Sequence, residues 1–150
     1  VPELLGPALG FVGPALGAGA VGVRIKEFAI LRTSALQGCS YCINAHTTVS
    51  LDVGLTGHEV RALRGETALE GAFVLAAERA MIGWIDALAG ATGAIPDDVW
   101  AEARAHWAEH ELVEVAVTVG ATMFLNRFAT GLQLPTSPQV LERLTAEGLS

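Results

Sequence analysis

The chain has 150 residues, with 16 acidic against 9 basic, a formal net charge of −7 and 51% hydrophobic residues. This length fits one domain spanning residues 1–150, with a core large enough to need no disulfide staples, and the acidic balance excludes the electropositive surface that a nucleic-acid backbone requires. Mean hydropathy is high at +0.45 while aromatics are only 6%, and an apolar surplus carried by Ala, Val and Leu suggests burial between subunits.

The uncharged run from Leu4 to Val23 is long enough to cross a bilayer. However, Pro7, Pro14 and repeated glycines interrupt it, and Gly-Pro-Ala-Leu-Gly occurs twice, so turns or short helical pieces packed on a neighbour are expected. It also lacks the basic lead and Leu-rich centre of a secretory signal. The expected setting is cytoplasmic, with no membrane partner.

Val23 to Gln37 contains no breaker and reads as a helix buried on most sides, with Gly38 as its stop. A second helix is expected from about Cys39 to Val53, ended by Gly54. Thr56-Gly57-His58-Glu59 matches a capping box opening a short helix to about Arg64. Ala68 to Ala89 reads as a longer helix, and Pro96-Asp97-Asp98 opens another that carries Val99 to Glu109. His110 to Thr130 is expected to be a central buried helix, and Gln139 to Ala146 a last small one after the Pro135 and Pro138 loop. No strand pattern recurs, so the fold class is all-α.

Cys39 and Cys42 are the only cysteines, and His46 follows one turn later. Three- and four-residue spacings share a helix face, so the three side chains would project from one stripe. A pair this close cannot staple distant parts of a fold, and it reads as reactive or ligating in a reducing compartment. A helix N-terminus and an imidazole both favour the thiolate, so one thiol can attack while the other resolves into a disulfide. Zinc binding or inert packing are the other readings of the trio; zinc would need a fourth ligand, from Glu27 or a second chain. Ile43 stands where haem attachment would need histidine.

Taken alone, Glu27 reads as a solvated carboxylate pairing Arg24. His58, His106 and His110 read as surface or cap residues, and Tyr41 as either a packing residue or a proton donor.

Together, Glu27, Cys39, Cys42 and His46, followed by Gly54-Leu55-Thr56, resemble the carboxymuconolactone decarboxylase superfamily and, within it, the alkylhydroperoxidase D branch. The likeness is strongest from Arg24 to Leu63, and Glu111-Leu112-Val113-Glu114 with Asn126-Arg127-Phe128 is similar to the closing helix of that family. The resemblance implies an all-α protein assembling as trimers or hexamers, and a thiol peroxidase acting on small organic hydroperoxides or hydrogen peroxide. It implies Cys42 as the attacking cysteine, Cys39 as the resolving one, and a proton relay of Glu27 and His46.

No metal or organic cofactor is expected; the oxidised pair needs an external reductant, and the resemblance implies a dithiol, dihydrolipoyl or thioredoxin-like. Tyr41 stands where alkylhydroperoxidase D proteins often carry histidine. A cofactor-free decarboxylase or isomerase of the same superfamily, and a zinc-binding or redox-switch oligomer, are the alternative functions.

Overall fold

The computed structural model describes residues 1–90 and 93–150, and among them every regular element is helical. The order is α1 (Pro2–Leu16), α2 (Val23–Leu36), α3 (Ser40–Asp52), α4 (Gly57–Leu63), α5 (Ala76–Gly90), α6 (Asp97–His106), α7 (Glu109–Gly131) and α8 (Pro138–Ala146). The all-α expectation is met.

The breaker-free stretch forms the hub of the fold. α2 packs on α3, α4, α5 and α7, and its residues from Ile25 to Leu31 are all buried. Phe28 meets Phe73 edge to face, ring centroids 5.0 Å apart, and the Arg24 guanidinium lies over the Phe28 ring. Leu31, Leu63, Met81, Ile85 and Val115 close the core around it. Such burial of large side chains is the main stabilising contribution, each giving about 1.5–3 kcal/mol.

Four expectations need correction. The N-terminal run is one helix, α1, rather than turns or short pieces, despite Pro7 and Pro14 within it. Proline removes the bond to the carbonyl four residues back, here those of Glu3 and Gly10, and both residues are exposed, so water can take the freed carbonyls. The helix expected from Ala68 starts only at Ala76. Before it, the N–H groups of Ala72 and Phe73 fold back on the Leu69 carbonyl, and Arg79 donates to the carbonyls of Phe73 and Val74. Side-chain capping of this loop, together with full burial of Phe73, outweighs its helical pattern.

The third concerns the end of α6. Trp107 is extended there and its indole Nε1 donates to the Ala77 carbonyl at 2.8 Å, so Glu109 opens α7 instead of closing α6. α7 is also not buried all round. Leu112, Val115, Val119, Thr122 and Asn126 face inward, whereas Val113, Val117, Phe124 and Phe128 are exposed. Among the described residues α7 is the one helix long and apolar enough to cross a membrane, and 44% of its most apolar window is buried within the fold.

A buried cation joins α1, α2 and α7. Lys26, 2% exposed, donates to the Ala15 carbonyl at 2.9 Å and to Thr118 Oγ1 at 3.0 Å, and pairs with Glu114 at 2.8 Å. Glu114 also accepts from the Ala20 N–H. A Cβ on Gly19 would overlap that carboxylate, so a side chain there would push the Glu114 head group from its present place.

Candidate active site

The site is built at the α2–α3 corner. Gly38, at φ 66°, takes the left-handed conformation that ends α2. The Gly38 N–H then bonds the Ala35 carbonyl and the Cys39 N–H bonds the Ser34 carbonyl, two bonds that satisfy the last turn and turn the chain. Cys39 is thereby delivered as the N-cap of α3, its Sγ accepting from the Cys42 N–H at 3.4 Å. The two cysteines form a disulfide, with their Cα atoms 5.3 Å apart. Cys39 is 1% exposed and Cys42 7%.

Glu27, one turn into the buried α2, is 6% exposed and does not pair with Arg24. Arg24 instead reaches Glu59 and Glu78, which leaves the Glu27 carboxylate to accept from His46 Nδ1 at 2.9 Å and from Ser50 Oγ at 3.4 Å. A carboxylate accepting from Nδ1–H selects the tautomer with a bare Nε2, so the second ring nitrogen is the one free to exchange a proton.

A pocket of about 330 Å³ opens over this corner. Tyr41, Cys42 and His46 line it from α3, Ile30 and Ser34 from α2, and Thr122, Leu125, Asn126 and Phe128 from α7. The structure thus places Cys42, His46 and Tyr41 on one wall, Glu27 behind His46, and Cys39 behind Cys42. Cys42 is the sulfur a pocket occupant reaches.

His58, His106 and His110 are exposed and away from it, as expected of surface residues. Among the described residues no three His, Cys, Asp or Glu side chains converge as a metal site would require.

Sequence reading missed Ser50, which bonds Glu27, and the pair of Ser34 and Asn126, whose side chains bond at 3.1 Å. Polar residues recurring on a face expected to be buried were the available signal: Ser34 on α2, and Thr118, Thr122 and Asn126 on α7. A buried polar group implies a partner.

The family model for the carboxymuconolactone decarboxylase family matches residues 2–91. No match was found among functionally curated proteins. Among solved structures, the chain is similar to a protein of unknown function from Agrobacterium tumefaciens carrying the provisional name antioxidant defence protein AhpD; the two share 28% identity and a TM-score of 0.80 over 91% of this chain and 92% of that one.

An uncharacterized peroxidase-related protein from Ralstonia eutropha JMP134, described as an alkylhydroperoxidase AhpD core, shares the fold at 16% identity and a TM-score of 0.80, covering 93% of this chain and 73% of that one. The debrominase Bmp8 does so at 17% identity and a TM-score of 0.79, covering 97% and 77%. With its helical architecture and its cysteine pair on the α3 corner, the chain belongs to the carboxymuconolactone decarboxylase family, on the alkylhydroperoxidase D-like branch.

Proposed function

We propose that the protein is a thiol-dependent peroxidase that reduces small organic hydroperoxides or hydrogen peroxide through a Cys39–Cys42 disulfide cycle. The observation that carries this reading is the His46 imidazole, held by buried Glu27 and sharing a pocket with Cys42. His46 Nε2 takes the Cys42 proton, the thiolate attacks the terminal peroxide oxygen, the O–O bond breaks, and the leaving alkoxide recovers the proton as an alcohol. Cys42 is then a sulfenic acid. The Cys39 thiol attacks its sulfur, water leaves, and the disulfide forms.

The N-terminus of α3 favours the thiolate over the thiol. Tyr41, at the pocket mouth, is the candidate second proton donor. The apolar walls from Ile30, Leu125 and Phe128 suit an organic group on the peroxide.

No metal or organic cofactor enters this cycle. A dithiol, dihydrolipoyl or thioredoxin-like, returns the pair to thiols in a cytoplasmic, reducing setting. The exposed apolar stripe of α7 and the apolar groove it forms with α1 support a homo-oligomer, trimeric or hexameric.

Hydroperoxide consumption with a dithiol reductant, compared between wild type and Cys42→Ser, tests the reading. Turnover by the wild type and none by the variant is expected. Equal turnover would sink the mechanism, and conversion of a lactone acid that survives Cys42→Ser would establish decarboxylase chemistry instead.

A further inference from the structure

Asn126 Nδ2 is a buried side-chain polar atom without a hydrogen-bond partner among the described residues, and Asn126 lines the Cys42 pocket. Asn126 is 1% exposed. Its Oδ1 accepts from Ser34 Oγ at 3.1 Å, which anchors the amide, and the NH₂ group is the end without a protein partner. A buried N–H left unpaired costs about 1–3 kcal/mol, a cost offset when an acceptor enters the pocket.

The pocket wall already carries the groups that form and break bonds at sulfur: Cys42 from α3, and His46 held by Glu27. Asn126 comes from α7, a different element, with Ser34 from α2 holding it in place. Tyr41 stands at the exposed mouth, and what the peroxide step otherwise lacks is a buried donor for the oxygen on which charge develops. His46 is occupied with the thiol proton at that moment, and a neutral amide can stabilise an anion without competing for a proton.

We propose that Asn126 is a substrate-binding and catalytic residue: its Nδ2 donates to the hydroperoxide oxygen that bears the organic group and leaves as alkoxide. The inference rests on the peroxidase reading. In the step, the Cys42 S–O bond forms as the O–O bond breaks; the electron pair of that bond stays on the departing oxygen, which Asn126 holds until the proton carried by His46 converts it to the alcohol. Cys42 becomes a sulfenic acid and the later reduction is carried by the dithiol. Ser34 is a positioning residue that anchors the amide from α2.

The test compares two single-turnover reactions of the fully reduced protein. One is oxidation by cumene hydroperoxide and the other alkylation of Cys42 by benzyl bromide, which carries no oxygen. Their ratio cancels any change in thiolate fraction. Asn126→Ala is expected to lower the ratio about 100-fold, in line with loss of one preorganised donor, and Ser34→Ala several-fold.

Asn126→Asp, of the same shape but without the NH₂ donor, should fall with the alanine variant and serves if that variant does not fold. An unchanged ratio in the folded Asn126 variants, or equal losses in both reactions, would overturn the assignment. A wild type that benzyl bromide alkylates but cumene hydroperoxide does not oxidise would instead refute the peroxidase reading itself.

Discussion

The carboxylate of Glu27, on α2, accepts a 2.9 Å hydrogen bond from Nδ1 of His46, on α3. Two helices joined by a tight corner thus place a buried charge behind an imidazole that faces the cysteine pocket. Removing that charge while keeping the side-chain shape isolates its role. Glu27→Gln should lower kcat/KM for a hydroperoxide by about 100-fold, the scale of a general acid–base contribution. Circular dichroism should remain that of the wild type. A loss of helix content, or unchanged kcat/KM, would remove Glu27 from the relay.

The two cysteines should separate by function. Cys42→Ser is expected to abolish peroxide consumption. Cys39→Ser should consume one equivalent and stop, with Cys42 trapped as a sulfenic acid. Intact-protein mass spectrometry reads this as the gain of one oxygen, which should appear in the Cys39 variant and not in the Cys42 variant. The reverse pattern would exchange the assigned roles.

Lys26 makes a separate prediction, about stability. Its three contacts, to Ala15, Thr118 and Glu114, draw α1 and the following loop onto α7. Lys26→Met removes the cation and leaves Glu114 without its partner. A loss of roughly 2–4 kcal/mol is expected, somewhat under the cost of breaking a fully buried pair because Glu114 is partly solvated. Urea unfolding should show it as a lower midpoint.

The same contact predicts acid sensitivity. The hydrogen bond from Lys26, opposed by burial and helped by the Ala20 N–H, holds the Glu114 carboxyl below its ordinary value of 4.5. A carboxyl lowered in the folded state stabilises fully above its unfolded value. That contribution is lost as pH falls through the lower folded value. Thermal midpoints should therefore drop on acidification below about pH 4.5, and Glu114→Gln should be less stable near neutrality but show a shallower drop. Equal slopes for both proteins would contradict the linkage.

The exposed stripe on α7 should govern assembly. Val117→Glu combined with Phe124→Glu places two charges on it at positions that do not line the Cys42 pocket. Sedimentation velocity is expected to show a trimer or hexamer for the wild type and a monomer for the double variant. A wild type that sediments as a monomer would assign the stripe another role.

The division between sequence and structure follows the range of the forces involved. Periodicity and punctuation are local, and they were enough to locate α2, α3 and α4. Gly38 stops one helix and Gly54 the next, and the reciprocal Thr56 and Glu59 bonds open the third as their spacing required. The grouping of Cys39, Cys42 and His46 was legible for the same reason, since residues one turn apart on a helix must share a face.

What depended on distant partners was not legible. Glu27 and Arg24 are neighbours in sequence and by themselves looked like a pair, and only the family resemblance coupled Glu27 to His46; in the fold α4 and α5 supply Arg24 with Glu59 and Glu78, which frees Glu27 for His46. The packing of Phe73 on Phe28, which holds the loop before Ala76, and the meeting of Ser34 with Asn126 likewise arise from contacts between residues far apart in the chain. By itself the sequence determined an all-helical chain with a cysteine pair and an imidazole on one turn of helix. Only tertiary packing decided which carboxylate the imidazole meets and which amide closes the pocket, because burial leaves each polar group the partners that the folded neighbours bring within reach.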